Sequence, residues 1–306
     1  MPYVDAFGAR LYVEERGSGY PIIFVHEFAS DLRGWDSQVR HFAGGYRCVA
    51  YNARGYPPSA SPEDPELYGW EFAVDDIAAV MRGLKLERVH LVGLGLGAYA
   101  ALQFGLRYPE KVSAIVAASV GSDFQPSESD GWWRESSLLA RIFIKHGMAS
   151  LAGRMARGVA RMKLKHKGRK SWQELLGPLP QHSGQRPSMH DLRDPAEITT
   201  PVLLAVGDED MRCLNINLTL KFALPNAGLW ICPRTGHAIN LQEPEAFNAQ
   251  VETFLSAVER GRWQQRDENA TFDWGRRLRW FSRRETSRGD VNPEDARADV
   301  VRLHPK

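Results

Sequence analysis

The most constraining stretch of this chain is Val89-His90-Leu91-Val92 running directly into Gly93-Leu94-Gly95-Leu96-Gly97, followed by a small, apolar segment to Arg107. A short run of this kind reads as a strand buried on both faces, as in parallel sheets. Three glycines in five positions mark a sharp turn, and the small residues beyond it let a helix pack close to the strand. Strand, tight turn and helix in this order require a layered α/β fold. The rest of the chain keeps the same rhythm. Pro21 to Val25, Arg47 to Tyr51, Val112 to Ala118, Val202 to Val206 and Leu229 to Ile231 read as further strands, the last two each followed by a helical pattern. Residues 3–14, with Phe7-Gly8 inside them, suit an opening hairpin. Trp70 to Leu84 carries Phe72, Ile77, Val80, Met81 and Leu84 at helical spacing. Strands alternating with helices give a mostly parallel sheet, whose functional site lies at the carboxyl ends of the strands.

Residues 124–197 break the rhythm. They hold Trp132 and Trp133 in tandem and a helical run from Leu138 to Ala160, with no strand signal. This predicts a helical insertion, a cap between two strands. From Glu259 the chain turns rich in Arg, Asp and Glu, and from Glu285 it has few apolar residues, which predicts a disordered end. The organisation read from the sequence is therefore a core of residues 1–123 and 198–258, a helical cap of 124–197, and a C-terminal extension of 259–306.

The 306 residues suffice for one such domain with its insertion and tail, and a formal charge of +2 is too small to demand an acidic partner for the whole molecule. Cys48, Cys213 and Cys232 are too few and too unevenly spaced for a disulfide framework, which suits a reducing compartment. The start has no secretory pattern and no run reaches the length of a membrane span, so a cytoplasmic location is expected. No zinc spacing, phosphate loop or nucleic-acid module is present in the pattern, so neither a metal nor another cofactor is expected.

Chemistry-bearing residues gather at the strand ends. Gly95 occupies the turn after the central strand. Val206-Gly207-Asp208-Glu209-Asp210 ends another strand, and Pro233-Arg234-Thr235-Gly236-His237 follows the next. His26-Glu27-Phe28 follows the strand Pro21–Val25. A turn residue, then an acid, then a histidine is the chain order of a Ser-Asp-His triad whose nucleophile sits on a strand–turn–helix elbow, G-x-S-x-G. Here the elbow position is glycine.

On these residues the chain resembles the cap-bearing branch of the α/β-hydrolase superfamily, which includes esterases, epoxide hydrolases and carbon–carbon bond hydrolases. The resemblance spans about residues 1 to 258. It implies an α/β-hydrolase fold, with Asp210 as the acid, His237 as the base and the backbone amides of Phe28 and Leu96 as oxyanion donors. Asp123 is the alternative acid. Asn52-Ala53-Arg54-Gly55-Tyr56 resembles the family's structural Arg-Gly turn, and 124–197 stands in the place of the cap. Two departures matter. Gly95 replaces the family's Ser, Asp or Cys, and Glu27 replaces a glycine, putting a carboxylate beside an anion-binding site where it would repel an oxyanion or act as a base.

Competing readings of these residues are weaker. Gly93-x-Gly95-x-x-Ala98 also fits a dinucleotide fingerprint, but the next strand ends in Ala117-Ala118-Ser119 instead of the acid that fingerprint needs. Cys213 and Cys232 read as core residues rather than nucleophiles. The basic run Arg154 to Lys170 reads as a solvated face of a cap helix, or as an attractor of anions. Phe272 to Arg284 interleaves aromatics with arginines, which suits contact with an anionic surface, self-association, or docking onto the protein's own core.

The functional expectation is a small-molecule enzyme without a serine nucleophile. Space left at Gly95 holds a water, and His237, oriented by Asp210, activates it or takes a proton from a largely apolar substrate. Trp132, Trp133, Phe143 and Met148 are expected to line the pocket. Two alternatives stand beside it: a non-catalytic small-molecule binder, and a serine esterase carrying an engineered Ser-to-Gly change at residue 95.

Overall fold

A computed structural model describes residues 2–27, 30–121 and 195–264. Their strands are β1 (Tyr3–Ala6), β2 (Ala9–Arg16), β3 (Tyr20–Val25), β4 (Tyr46–Tyr51), β5 (Val89–Leu94), β6 (Val112–Ala118), β7 (Val202–Gly207) and β8 (Ala227–Cys232). They form one eight-stranded sheet in the order β1-β2-β4-β3-β5-β6-β7-β8. β1 and β2 pair antiparallel, as do β2 and β4, and every later pairing is parallel. This is the α/β-hydrolase fold class expected, with the opening hairpin at one edge of the sheet.

Alternation along each buried strand feeds two cores. Ile23, Val25, Val49, Tyr51 and Leu91 face one layer, which holds α2 (Trp70–Gly83), α3 (Leu96–Arg107) and α4 (Met211–Ala223). Ile22, Phe24, Cys48, Ala50 and Val92 face the other, with Trp35, with Phe42 of α1 (Asp36–Phe42), with Ile239 of α5 (Ile239–Gln242), and with Phe247, Val251 and Phe254 of α6 (Pro244–Glu259). Every residue of β5 and β7 is buried, which is why both read as continuous apolar runs.

α1 has no counterpart among the elements expected. It shows little apolar stripe because its buried Gln38 donates to the Asn240 carbonyl at 3.0 Å and to Asn248 Oδ1 at 3.0 Å. Among the described residues the last helix, α6, runs to Glu259, and packing continues beyond it. The Trp263 ring meets Phe254 edge-on at 4.7 Å and donates from Nε1 to the Asn226 carbonyl.

The Arg-Gly turn is structural, as the resemblance implied. Arg54 Nε and Nη2 grip the buried Asp76 carboxylate at 3.0 and 2.6 Å, while Nη1 and Nη2 also donate to the Leu67 and Phe7 carbonyls. Its guanidinium lies 4.4 Å from the centre of the Phe72 ring. This ties the loop after β4 to α2 and the opening hairpin.

The order β4-β3-β5 places the switch in winding direction between β3 and β5, where a ligand crevice opens in sheets of this type. Val25 pairs with Gly93 across that boundary. Residues two beyond each, Glu27 and Gly95, therefore leave the sheet level with one another.

Candidate active site

Gly95 caps α3 with φ +54° and ψ −115°, and its N–H donates to the Ala118 carbonyl at 2.9 Å. A positive φ strains any residue with a Cβ, and glycine holds it without that cost. Gly97 is required for a different reason. A Cβ there would meet the Val25 carbonyl oxygen at 2.2 Å, so only glycine lets α3 approach β3 this closely.

The space beside Gly95 is not open, contrary to the water-holding site expected. A Cβ built on Gly95 would fall 2.6 Å from Glu27 Oε2, 2.8 Å from its Cδ and 2.9 Å from Oε1. The Glu27 carboxylate fills the place that a residue-95 side chain would enter. It is held there from both ends. At the main chain, buried His26 fixes the turn: Ala53 N–H donates to its Nε2 at 3.0 Å, which puts the ring proton on Nδ1 to donate to the Glu27 carbonyl at 2.7 Å. Burial pushes the His26 pKa down and keeps the ring neutral, as this arrangement needs. At the side chain, Glu27 Oε2 lies 2.5 Å from His237 Nε2.

His237 also meets Asp210. Its Nδ1 lies 2.8 Å from Asp210 Oδ2 and 3.6 Å from Cys213 Sγ. Asp210 ends the turn after β7 and caps α4, while His237 follows β8, so the two strand ends bring acid and imidazole together. The His237 carbonyl accepts from Ser119 Oγ at 2.8 Å, which anchors the loop to the end of β6. Burial alone would lower the His237 pKa, but the Glu27 charge and the hydrogen bonds from its neighbours outweigh it and hold the imidazole well above its ordinary range. Burial would likewise raise Asp210, yet the hydrogen bond and charge of His237 bring it below the usual carboxylate range. His237 thus sits between two carboxyl groups, with Asp210 side-chain exposure 8% and His237 34%.

Of the predicted residues, Gly95, Glu27, Asp210 and His237 converge, and Leu96 opens α3 beside them. Phe28, Asp123, Trp132, Trp133, Phe143, Met148, residues 124–194 of the cap expected over 124–197, and the 272–284 segment lie outside the described residues. Two features escaped the sequence. The meeting of Glu27 with Gly95 needs the β3–β5 register. Cys213, read as core, is indeed buried, but its sulfur touches the His237 ring. The signal available was its position three residues after Asp210 in the first turn of a helix, a spacing that shares a face.

A family model described as "Alpha/beta hydrolase family" matches residues 22–250. The chain belongs to this family. Among curated proteins, this α/β hydrolase is 34% identical to epoxide hydrolase 3 of Mus musculus over 39% of this chain and 33% of that protein. It is 33% identical to an epoxide hydrolase of Caballeronia sordidicola over 37% of this chain and 35% of that one. Each match thus spans about a third of the relative's length. Among solved structures, a thermophilic esterase from Thermogutta terrifontis superposes with TM-score 0.70 at 22% identity, over 84% of this chain and 98% of the other. The enol-lactonase from Burkholderia xenovorans LB400 superposes with TM-score 0.67 at 21% identity, over 83% and 100%. These similarities show the α/β-hydrolase fold. No helix among the described residues is long and apolar enough to cross a membrane.

Proposed function

We propose that this α/β hydrolase cleaves a carbon–oxygen bond in a small, largely apolar molecule, with Glu27 as the nucleophile that position 95 lacks. One observation carries the reading: the Glu27 carboxylate stands where an elbow side chain would project, in hydrogen-bond contact with His237. An ionised carboxylate is a competent nucleophile toward an electrophilic saturated carbon, and it splits the reaction into two easier steps. Glu27 attacks that carbon, the C–O bond breaks, and the departing oxygen takes the Nε2 proton of His237. The intermediate is an ester of Glu27. His237, now neutral and oriented by Asp210, takes a proton from water as the water attacks the ester carbonyl. The product oxygen leaves with the second water proton, and the Glu27 carboxylate and protonated His237 are restored. The Leu96 amide, at the start of a helix, stabilises the negative charge on the ester carbonyl oxygen in this step. Only water is consumed.

Small epoxides are the first substrates to test, since a strained ring supplies such a carbon and partial relatives are named epoxide hydrolases. In a single turnover in ¹⁸O-water, label should appear in the peptide carrying Glu27. His237→Gln should accumulate that peptide as an ester adduct, and Glu27→Gln should lose roughly a thousand-fold or more in rate, the scale set by nucleophile removal in a hydrolase. Turnover that leaves Glu27 unlabelled would exclude the covalent step.

The reading as a non-catalytic binder is favoured by one feature, that Glu27, His237 and Asp210 satisfy one another without a substrate. Saturable binding with no turnover on any ester or epoxide supports it. The reading as a disabled serine esterase requires the Glu27 carboxylate to swing off His237 to admit a side chain at 95. Strong esterase activity in Gly95→Ser would favour it.

A further inference from the structure

We infer that Asp210, Cys213 and His237 form a binding site for a thiophilic divalent cation of the zinc class, on the opposite edge of the imidazole from Glu27. Their ligand atoms, a carboxylate oxygen, Sγ and Nδ1, all lie within 4.8 Å of one another. A tetrahedral zinc ion, with bonds of about 2.0–2.1 Å to nitrogen and oxygen and about 2.3 Å to sulfur, separates its ligand atoms by roughly 3.3–3.6 Å. Cys213 Sγ already lies 3.6 Å from His237 Nδ1. Asp210 Oδ2 lies 2.8 Å from the same nitrogen, so this pair must part by roughly half an ångström as the ion replaces the shared proton.

The surroundings suit a cation. The donors are one thiol, one imidazole and one carboxylate, a mixture that suits zinc or cobalt and not calcium or magnesium. A histidine bound to metal through one nitrogen commonly gives its other N–H to a carboxylate, which fixes the ring and strengthens the bond. Glu27 Oε2 is already in that position on Nε2. Asp210 and Cys213 are rigidly spaced, at the cap and in the first turn of α4. Burial holds the Cys213 thiol up at about 11, so in the metal-free protein it keeps its proton, and an arriving ion must displace it. Of the three side chains His237 is the most exposed, at 34% against 8% for Asp210. Spacing in sequence gives no hint of this site, because His237 comes 24 residues after Cys213 from the next strand end. This inference concerns binding and stands apart from the proposed reaction. Where that reaction operates, an ion on Nδ1 occupies the ring's proton-exchanging system and stops it.

Metal-stripped full-length protein should be titrated with Co²⁺ and then Zn²⁺. One equivalent of cobalt should produce a thiolate-to-metal charge-transfer band in the near ultraviolet, and zinc should remove it. Cys213→Ser should abolish the band, while Cys48→Ser and Cys232→Ser keep it. Glu27→Gln should weaken binding about 10–100-fold, the cost of a lost outer partner. Circular dichroism checks each variant's fold, and if Cys213→Ser does not fold, His237→Gln serves in its place and should also lose the band. No thiolate band in the native protein, or a band that survives in folded Cys213→Ser, overturns the proposal.

Discussion

Replacing Gly95 by alanine tests the central geometric claim, because it adds one carbon where the Glu27 carboxylate lies. The contacts at 2.6, 2.8 and 2.9 Å are shorter than a real Cβ tolerates, so the carboxylate must swing away and its hydrogen bond to His237 must break. Two costs follow. The backbone at φ +54° strains a non-glycine residue by about 1–3 kcal/mol. Loss of the Glu27–His237 contact adds about 1 kcal/mol, the figure for a partly exposed pair, since the two side chains keep 24% and 34% exposure. The two parts separate in a double-mutant cycle. With Glu27→Ala in place, Gly95→Ala should cost the backbone strain alone. Urea unfolding of the four proteins should therefore give a coupling energy of about 1 kcal/mol, above the 0.3–0.5 kcal/mol within which independent sites add. Proton NMR of the His237 ring supplies a second reading: its pKa should fall in Gly95→Ala and in Glu27→Ala, with no further fall in the double variant. Additive stabilities together with an unmoved His237 titration would refute the argument that Glu27 fills the elbow's place.

Wild-type His237 should titrate well above 6.5, and Asp210→Asn should bring it down. Because the folded pKa is raised, the stability it contributes is present in full below about 6.5 and is lost as pH rises through the folded value, so urea midpoints taken against pH should decline in that window. If the reactive form is the Glu27 carboxylate with protonated His237, kcat/KM should likewise fall as pH rises through the same raised pKa, whereas a resting neutral base would make it rise. Asp210→Asn should also lower kcat by up to about 10⁴-fold with little change in KM, through loss of imidazole orientation. At the Arg54 turn, Asp76→Asn leaves the buried Arg54 without its charge partner and should cost about 3–5 kcal/mol in denaturant unfolding.

Much of this molecule is legible in one dimension. Fully buried strands such as β5 and β7 declare themselves as apolar runs, and the glycine turn at 93–97 announces the elbow because its backbone tolerates little else. Asp210 and His237 are readable because each lies within five residues of a strand's carboxyl end, and neighbouring strand ends in a parallel sheet lie side by side. What was hidden depends on register and facing. α1 hides because Gln38 is polar yet buried, its amide consumed by hydrogen bonds to residues some two hundred positions away. Cys213 looked like any core residue, since only the orientation of α4 turns its sulfur to the imidazole. At Gly95 the sequence shows a residue without a side chain, and not that the Glu27 carboxylate from another strand end lies against it.

The level exit of β3 and β5 has a consequence for how such a site changes over generations. Two neighbouring strands deliver their first free residues to one point in space, so that point can be furnished from either address. A lineage holding a group at both addresses can surrender one without vacating the point itself, and the scaffold registers no insult, because glycine is the residue the elbow's backbone resists least. Under the proposed reaction, reactive identity belongs to a location shared by two strands, here furnished from the β3 side by Glu27.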